Sequence, residues 1–77
     1  MSDLVRSPKQ LGNTIRRHRK RLGLSQSGLG ERAGLRQETI SLIENGNSAT
    51  RLDTLLAVLA ALDLELQVVA RSRSRDI

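Results

Sequence analysis

Between positions 36 and 47 the sequence reads RQETISLIENGN, a stretch whose polar groups are carboxamides, hydroxyls, carboxylates and one guanidinium. Counted at 3.6 residues per turn, Gln37, Ser41 and Asn45 fall in one row and Glu38 and Leu42 in another, with Arg36 at the amino end. Such groups make paired, directional hydrogen bonds rather than moving protons or attacking carbonyls. Gln can grip adenine through N6 and N7, Arg can grip guanine or a phosphate, Ser adapts to either, and Leu42 can meet a thymine methyl group. Glu38 has two readings: it accepts from cytosine N4, or it complements the positive start of its own helix. Thr39 and Asn47 stand beside these rows and complete the candidate contact set.

The rest of the composition bounds what those groups can act on. Thirteen Lys and Arg against eight Asp and Glu give a formal net charge of +5 and a pI near 11.4, which calls for a polyanionic partner. Phe, Tyr and Trp are absent, which removes the stacking platforms used on single strands and on splayed RNA bases and leaves duplex DNA as the favoured polyanion. An anionic membrane surface is the second candidate. The apolar runs are too short to span a bilayer, and no charged-then-apolar segment opens the sequence, so it reads as cytoplasmic and nucleoid-associated. One His, no Cys and carboxylates spread over helix surfaces supply neither an activated nucleophile nor a general acid-base pair. No catalytic residue, metal site or cofactor is assigned, and the protein is read as not an enzyme.

A chain of 77 residues holds one modest core. Residues 1–7 show no period and are read as a flexible N-terminus. Ser7 and Pro8 make a cap and a first helical residue, Leu11, Ile15 and Leu22 give the stripe of a first helix, and Gly23 is placed to end it. Ser25 caps a short second helix with Leu29 and Ala33 inward, Gly34 supplies a turn, and Leu35, Ile40 and Ile43 serve a third. Gly30 is small where the second and third helices must cross. After the polar turn NGNSAT comes a further helix with Leu52, Leu55, Leu56, Leu59 and Leu62 inward and a Thr50–Asp53 capping box at its start. Residues 64–70, LELQVVA, alternate apolar and polar residues as a half-buried strand does, with Leu64, Leu66, Val68 and Ala70 on one side. A frayed continuation of the last helix is the other reading of that segment. Residues 71–77, RSRSRDI, are read as a disordered basic tail.

Short helix, glycine turn and second short helix together have the spacing of a helix-turn-helix, whose second helix lies in the major groove. The stretch LGLSQSGLGERAGLRQETISLIENG resembles the Xre family of phage-repressor and Cro-type domains in Gln26 opening the first motif helix, in the small residue Gly30, in the turn residue Gly34 and in the Ile43–Gly46 close. The resemblance implies that Gln26 contacts a backbone phosphate and braces the recognition helix, and that Arg19 forms a largely buried ion pair with Glu44. Arg36 departs from the family's usual Ser or Thr cap, Gly28 adds a second glycine inside a helix, and His18 replaces an aliphatic core residue. His18 reads as a packed or edge histidine, with a pH switch as the alternative.

Over roughly residues 7 to 70 the sequence is most similar to HipB-type antitoxins, Xre proteins with a carboxy-terminal strand. That resemblance implies a mainly α, four- to five-helix repressor-like domain over residues 8–63 and a strand over 64–70 that pairs with its symmetry mate. Elementary chemistry agrees, since a lone strand leaves amides and carbonyls unpaired, and antiparallel pairing across a two-fold axis satisfies them. The implied protein is a homodimeric repressor on an inverted-repeat operator and the antitoxin of a HipA-type kinase toxin. The alternatives are a stand-alone Xre-type regulator and a nonspecific nucleic-acid or membrane-surface binder. The run IRRHRKR adds positive potential: Lys9, Arg16, Arg17, Lys20 and Arg21 are assigned to steering and phosphate attraction.

Overall fold

Two serines open the first two helices of the computed structural model, which describes residues 3–71. Ser7 Oγ accepts from the Gln10 amide at 3.0 Å ahead of α1 (Pro8–Arg21), and Ser25 Oγ accepts from the Gly28 amide at 2.9 Å ahead of α2 (Gln26–Ala33). Arg36 precedes α3 (Gln37–Glu44) and Arg51 precedes α4 (Leu52–Ala61), and neither side chain caps its helix. The Thr50–Asp53 capping box does not form, because α4 begins one residue later than that box requires. Thr50 Oγ1 donates to the Asn47 carbonyl at 3.2 Å instead, and Asp53 pairs with Arg51 at 3.1 Å.

All four helices among the described residues stop in the same way. The chain turns through one residue with positive φ (Gly23, Gly34, Gly46 and Asp63), and the next amide reaches back five residues: Leu24 to Arg19, Leu35 to Gly30, Asn47 to Leu42 and Leu64 to Leu59, at 2.8–3.1 Å. At Asp63 the left-handed conformation carries a steric cost that Gly would not, though Asp tolerates it better than most residues. Three of the four returning residues are leucines, and Leu24, Leu35 and Leu64 all pack against the core.

That core is Ile15, Leu29, Ile40, Ile43, Val58, Leu59 and Leu62, to which α1 contributes Ile15 and α4 contributes Val58 and Leu59. Three leucines expected inside lie outside. Leu22 is 49% exposed because it sits at the end of α1 where the chain turns away, and Leu52 and Leu56 are 61% and 42% exposed. Helix α4 is rotated so that Leu55, Val58, Leu59 and Leu62 face inward, a face the long leucine run disguised by being apolar on nearly every side. Among the described residues no helix is long and apolar enough to cross a membrane.

Two glycines set how closely the helices approach. A Cβ on Gly30 would stand 2.6 Å from the Leu35 carbonyl oxygen, so α2 and the start of the α3 turn touch backbone to side. A Cβ on Gly12 would stand 2.5 Å from the Ile43 carbonyl oxygen and 2.6 Å from that of Glu44, so α1 crosses directly over the carboxyl end of α3.

Residues 64–71 have no regular secondary structure within the single chain. Leu64 is half-buried against the core, whereas Leu66, Val68 and Ala70 are exposed, Val68 at 93%. Residues 3–6 are also irregular, but Asp3 is tied to Arg17 at 3.0 Å and lies 3.3 Å from His18 Nε2. The two segments flank a groove of about 830 Å³ with Leu11 and Leu59 among its lining residues. The basic tail read over 71–77 falls, beyond Arg71, outside the described residues, as do residues 1 and 2.

Candidate nucleic-acid interface

Because Ile40 and Ile43 are buried, the opposite side of α3 is turned outward. Gln37, Glu38, Leu42 and Asn45 are exposed there, Ser41 and Thr39 are half-buried, Arg36 stands exposed before the first turn and Asn47 after the last. The exposed candidates Gln37, Glu38, Leu42 and Asn45 thus lie away from the core, whereas Thr39, four residues before Ile43, lies at the edge of the buried side. Gln26, half-buried at the start of α2, adjoins it through Gln37: Gln37 Nε2 lies 3.5 Å from Gln26 Oε1, and Ser27 Oγ donates to Gln37 Oε1 at 3.3 Å.

Behind this surface is a buried charge cluster centred on Glu44. Arg19 Nε donates to Glu44 Oε2 at 2.6 Å and Arg19 Nη2 to Glu44 Oε1 at 3.0 Å, a bidentate pair, while Arg19 Nη1 donates to the Leu24 carbonyl at 2.8 Å. Gln26 Nε2 donates to Glu44 Oε1 at 3.1 Å and Arg16 Nε to the same oxygen at 3.4 Å. The Glu44 side chain is fully buried, and that of Arg19 is 10% exposed. Burial alone would push the Glu44 carboxyl up. Hydrogen bonds from Arg19 and Gln26, the Arg19 charge and the Arg16 contact outweigh that and hold it below the usual carboxylate range. Hydrogen bonding to Glu44 and its negative charge, working against burial, hold the Arg19 guanidinium above its ordinary value. No described buried side-chain polar atom lacks a partner.

Of the cations assigned to steering, Arg16 and Arg17 are engaged within the chain, by Glu44 with Asn45 and by Asp3 respectively. Lys9, Lys20 and Arg21 are exposed. The structural part of Arg16 was missed because a basic run suggests a solvated face. The signal was its spacing, since Arg16 lies three residues before Arg19 and so on the same side of α1. Among the described residues no group of His, Asp and Glu is arranged to hold a metal ion.

Two short helices joined through a left-handed glycine, with the second presenting an outward row of hydrogen-bonding side chains, define a helix-turn-helix protein. Residues 15–69 match the helix-turn-helix family, and the chain belongs to it. Within that family the chain is similar to Antitoxin HipB of Escherichia coli (strain K12), with 37% identity over 62 residues that cover 80% of this chain and 70% of that protein. Solved structures give the same picture. The HipB chain of a HipB–O4 20mer complex superposes with a TM-score of 0.85 at 32% identity, covering 92% of this chain and all of that one. A chain of a HipA–HipB–O2–O3 complex does so with a TM-score of 0.84 at 32% identity and the same coverage.

Proposed function

We propose that this protein is a dimeric, sequence-specific DNA-binding repressor, the antitoxin of a HipBA-type pair that represses its own operon and binds a HipA-type kinase toxin. It is a regulator, not an enzyme, and acts at the nucleoid in the cytoplasm. The observation that carries this reading is the outward row Gln37, Ser41 and Asn45, held from behind by the buried Arg19–Glu44–Gln26 cluster. A reading helix must be fixed to within fractions of an ångström for its hydrogen bonds to discriminate bases, and a cluster linking α1, α2 and α3 supplies that rigidity. Arg36, Gln37, Glu38, Thr39, Ser41, Asn45 and Asn47 are assigned to the duplex. Gln26, at the positive start of α2, is assigned to a phosphate.

Similarity to HipB over most of the chain, and the existence of HipB structures with operator DNA and with HipA, support the antitoxin role over a stand-alone regulator. Dimerisation is assigned to Leu64, Leu66, Val68 and Ala70. In a single chain residues 65–70 are exposed and, apart from the Leu64 amide bonded to the Leu59 carbonyl, the segment makes no backbone hydrogen bond among the described residues; antiparallel pairing with a second copy relieves both.

Selection from a random duplex pool at near-physiological salt tests the function. An inverted repeat with half-sites about 10 base pairs apart is the expected product; retention without any shared sequence would reduce the protein to a charge-driven binder. On the selected operator, Gln37→Ala should weaken binding by roughly 1–3 kcal/mol and relax the preference at one position of each half-site. Equal loss on random and selected DNA, in a titration of both, would show that Gln37 reads no base.

A further inference from the structure

The geometry points to Arg16 as a positioning residue that sets the hydrogen-bonding polarity of the far end of the reading row, by fixing the Asn45 carboxamide with its amino group toward the duplex. This inference rests on the DNA-reading assignment and deepens it. Arg16 Nη2 lies 3.4 Å from Asn45 Oδ1 and 3.4 Å from the Glu44 carbonyl oxygen, while Arg16 Nε lies 3.4 Å from Glu44 Oε1. One guanidinium thus spans three acceptors at the carboxyl end of α3, where a cation also offsets the negative end of the helix. Its side chain is 38% exposed, so it is neither free in solvent nor sealed in the core.

A guanidinium has only donors. The Asn45 atom facing Arg16 must therefore be the oxygen, and the amino group must lie on the other side. One of its two hydrogens is directed at Ser41 Oγ, 3.5 Å away, which leaves the second hydrogen for an outside acceptor. Because Ser41 Oγ is approached by a donor, its own hydroxyl hydrogen is left for another acceptor. Arg16 thereby turns two ambivalent side chains, each able to donate or accept, into a donor surface matched to acceptors such as guanine O6 and N7, thymine O4 or a phosphate oxygen. Without Arg16 the carboxamide could flip, and the row would lose its preference for acceptors over donors at that position.

The test uses full-length wild type, Arg16→Met, Arg16→Lys, Asn45→Ala and the double variant Arg16→Met/Asn45→Ala, titrated on the selected operator and on random duplex over a range of salt. Arg16→Met and Asn45→Ala should each weaken operator binding about tenfold, the lower end of what a directional contact contributes. The double variant should be no weaker than either single one. Arg16→Lys should resemble Arg16→Met, because a point charge cannot span three acceptors, and the salt slope should stay at the wild-type value. Since Lys keeps a cation beside Glu44, that variant carries the comparison if the Met variant fails to fold.

A salt slope lowered by about 1.8 per dimer, with full rescue by Lys, would make Arg16 a phosphate contact and overturn the inference. Additive losses of about a hundredfold in the double variant would also overturn it, since Arg16 would then act independently of Asn45. So would Arg16→Met and Arg16→Lys proteins that bind the operator as tightly as wild type. Outcome at Asn45 itself distinguishes the acceptor: loss confined to particular bases at one position marks a base edge, and uniform loss marks a phosphate. A wild type that prefers no sequence would sink the DNA-reading assignment first and this inference with it, an outcome distinct from failure of Arg16 alone.

Discussion

Replacing Glu44 with Ala is expected to destabilise the fold by roughly 3–5 kcal/mol, because the change strands the guanidinium of Arg19 in a largely buried site. A chain of this size has roughly 4–12 kcal/mol of stability in all, so the change should remove between about a quarter and all of it. The cost comes from the orphaned charge more than from the lost attraction. For that reason Arg19→Met/Glu44→Leu, which removes both charges and refills the space, should recover most of the loss. Urea unfolding of wild type and the two variants decides the matter: if Glu44→Ala unfolds within a few tenths of a kcal/mol of wild type, the cluster is not a structural anchor.

Acid should reproduce part of the same effect. The Glu44 carboxyl is held below its ordinary range in the folded chain. Its stabilising contribution is therefore complete above the unfolded carboxylate value of about 4.3 and is lost as pH falls through the lower folded value, where the native state too must take up a proton. Wild type should thus lose stability between those two values, and the Glu44→Ala protein should lack that component of the slope.

A second large effect is expected at Gly12. Substituting Ala for Gly inside a helix ordinarily gains about 1 kcal/mol. Here the added methyl would meet the carbonyl oxygens of Ile43 and Glu44 at 2.5 and 2.6 Å, and these are backbone atoms that cannot rotate aside. The sign should reverse, with a loss of roughly 1–3 kcal/mol as α1 is levered away from the carboxyl end of α3. Gly28→Ala is the control, since its methyl would meet Ser25 Oγ at 3.3 Å and Leu24 Cδ2 at 3.5 Å, both side-chain atoms. Thermal melts that rank Gly12→Ala at or above wild type would mean that the crossing is looser than the structure has it.

Local signals made the helix-turn-helix readable in the sequence. Ser7, Ser25, Gly23 and Gly34 act within a few residues of themselves, so the ends they mark can be read without knowing the fold. The outward row of α3 was legible for the same reason, because a helix carries Gln37, Ser41 and Asn45 on one side whatever surrounds it. What could not be read depends on partners distant in sequence. Helix α4 is apolar nearly all round, and only its packing decides that Val58 rather than Leu52 or Leu56 goes inside. Gly12 looks like a weak point of α1 until α3 is laid across it, and Arg16 looks like one more cation in a basic run until Glu44 and Asn45 arrive beside it from 28 and 29 residues away.

The repeated helix ending has a consequence for how the junctions are held. After α1, α2 and α4 the backbone is drawn home by a leucine, so those junctions are anchored and their loops have little latitude. After α3 the corresponding residue is Asn47, exposed and polar, so this junction alone is closed by backbone hydrogen bonding without an apolar anchor. The carboxyl margin of α3 is therefore held by polar groups, the Asn47 side chain accepting from the Ala49 amide at 2.9 Å, whereas the other three junctions are seated in the core by a leucine.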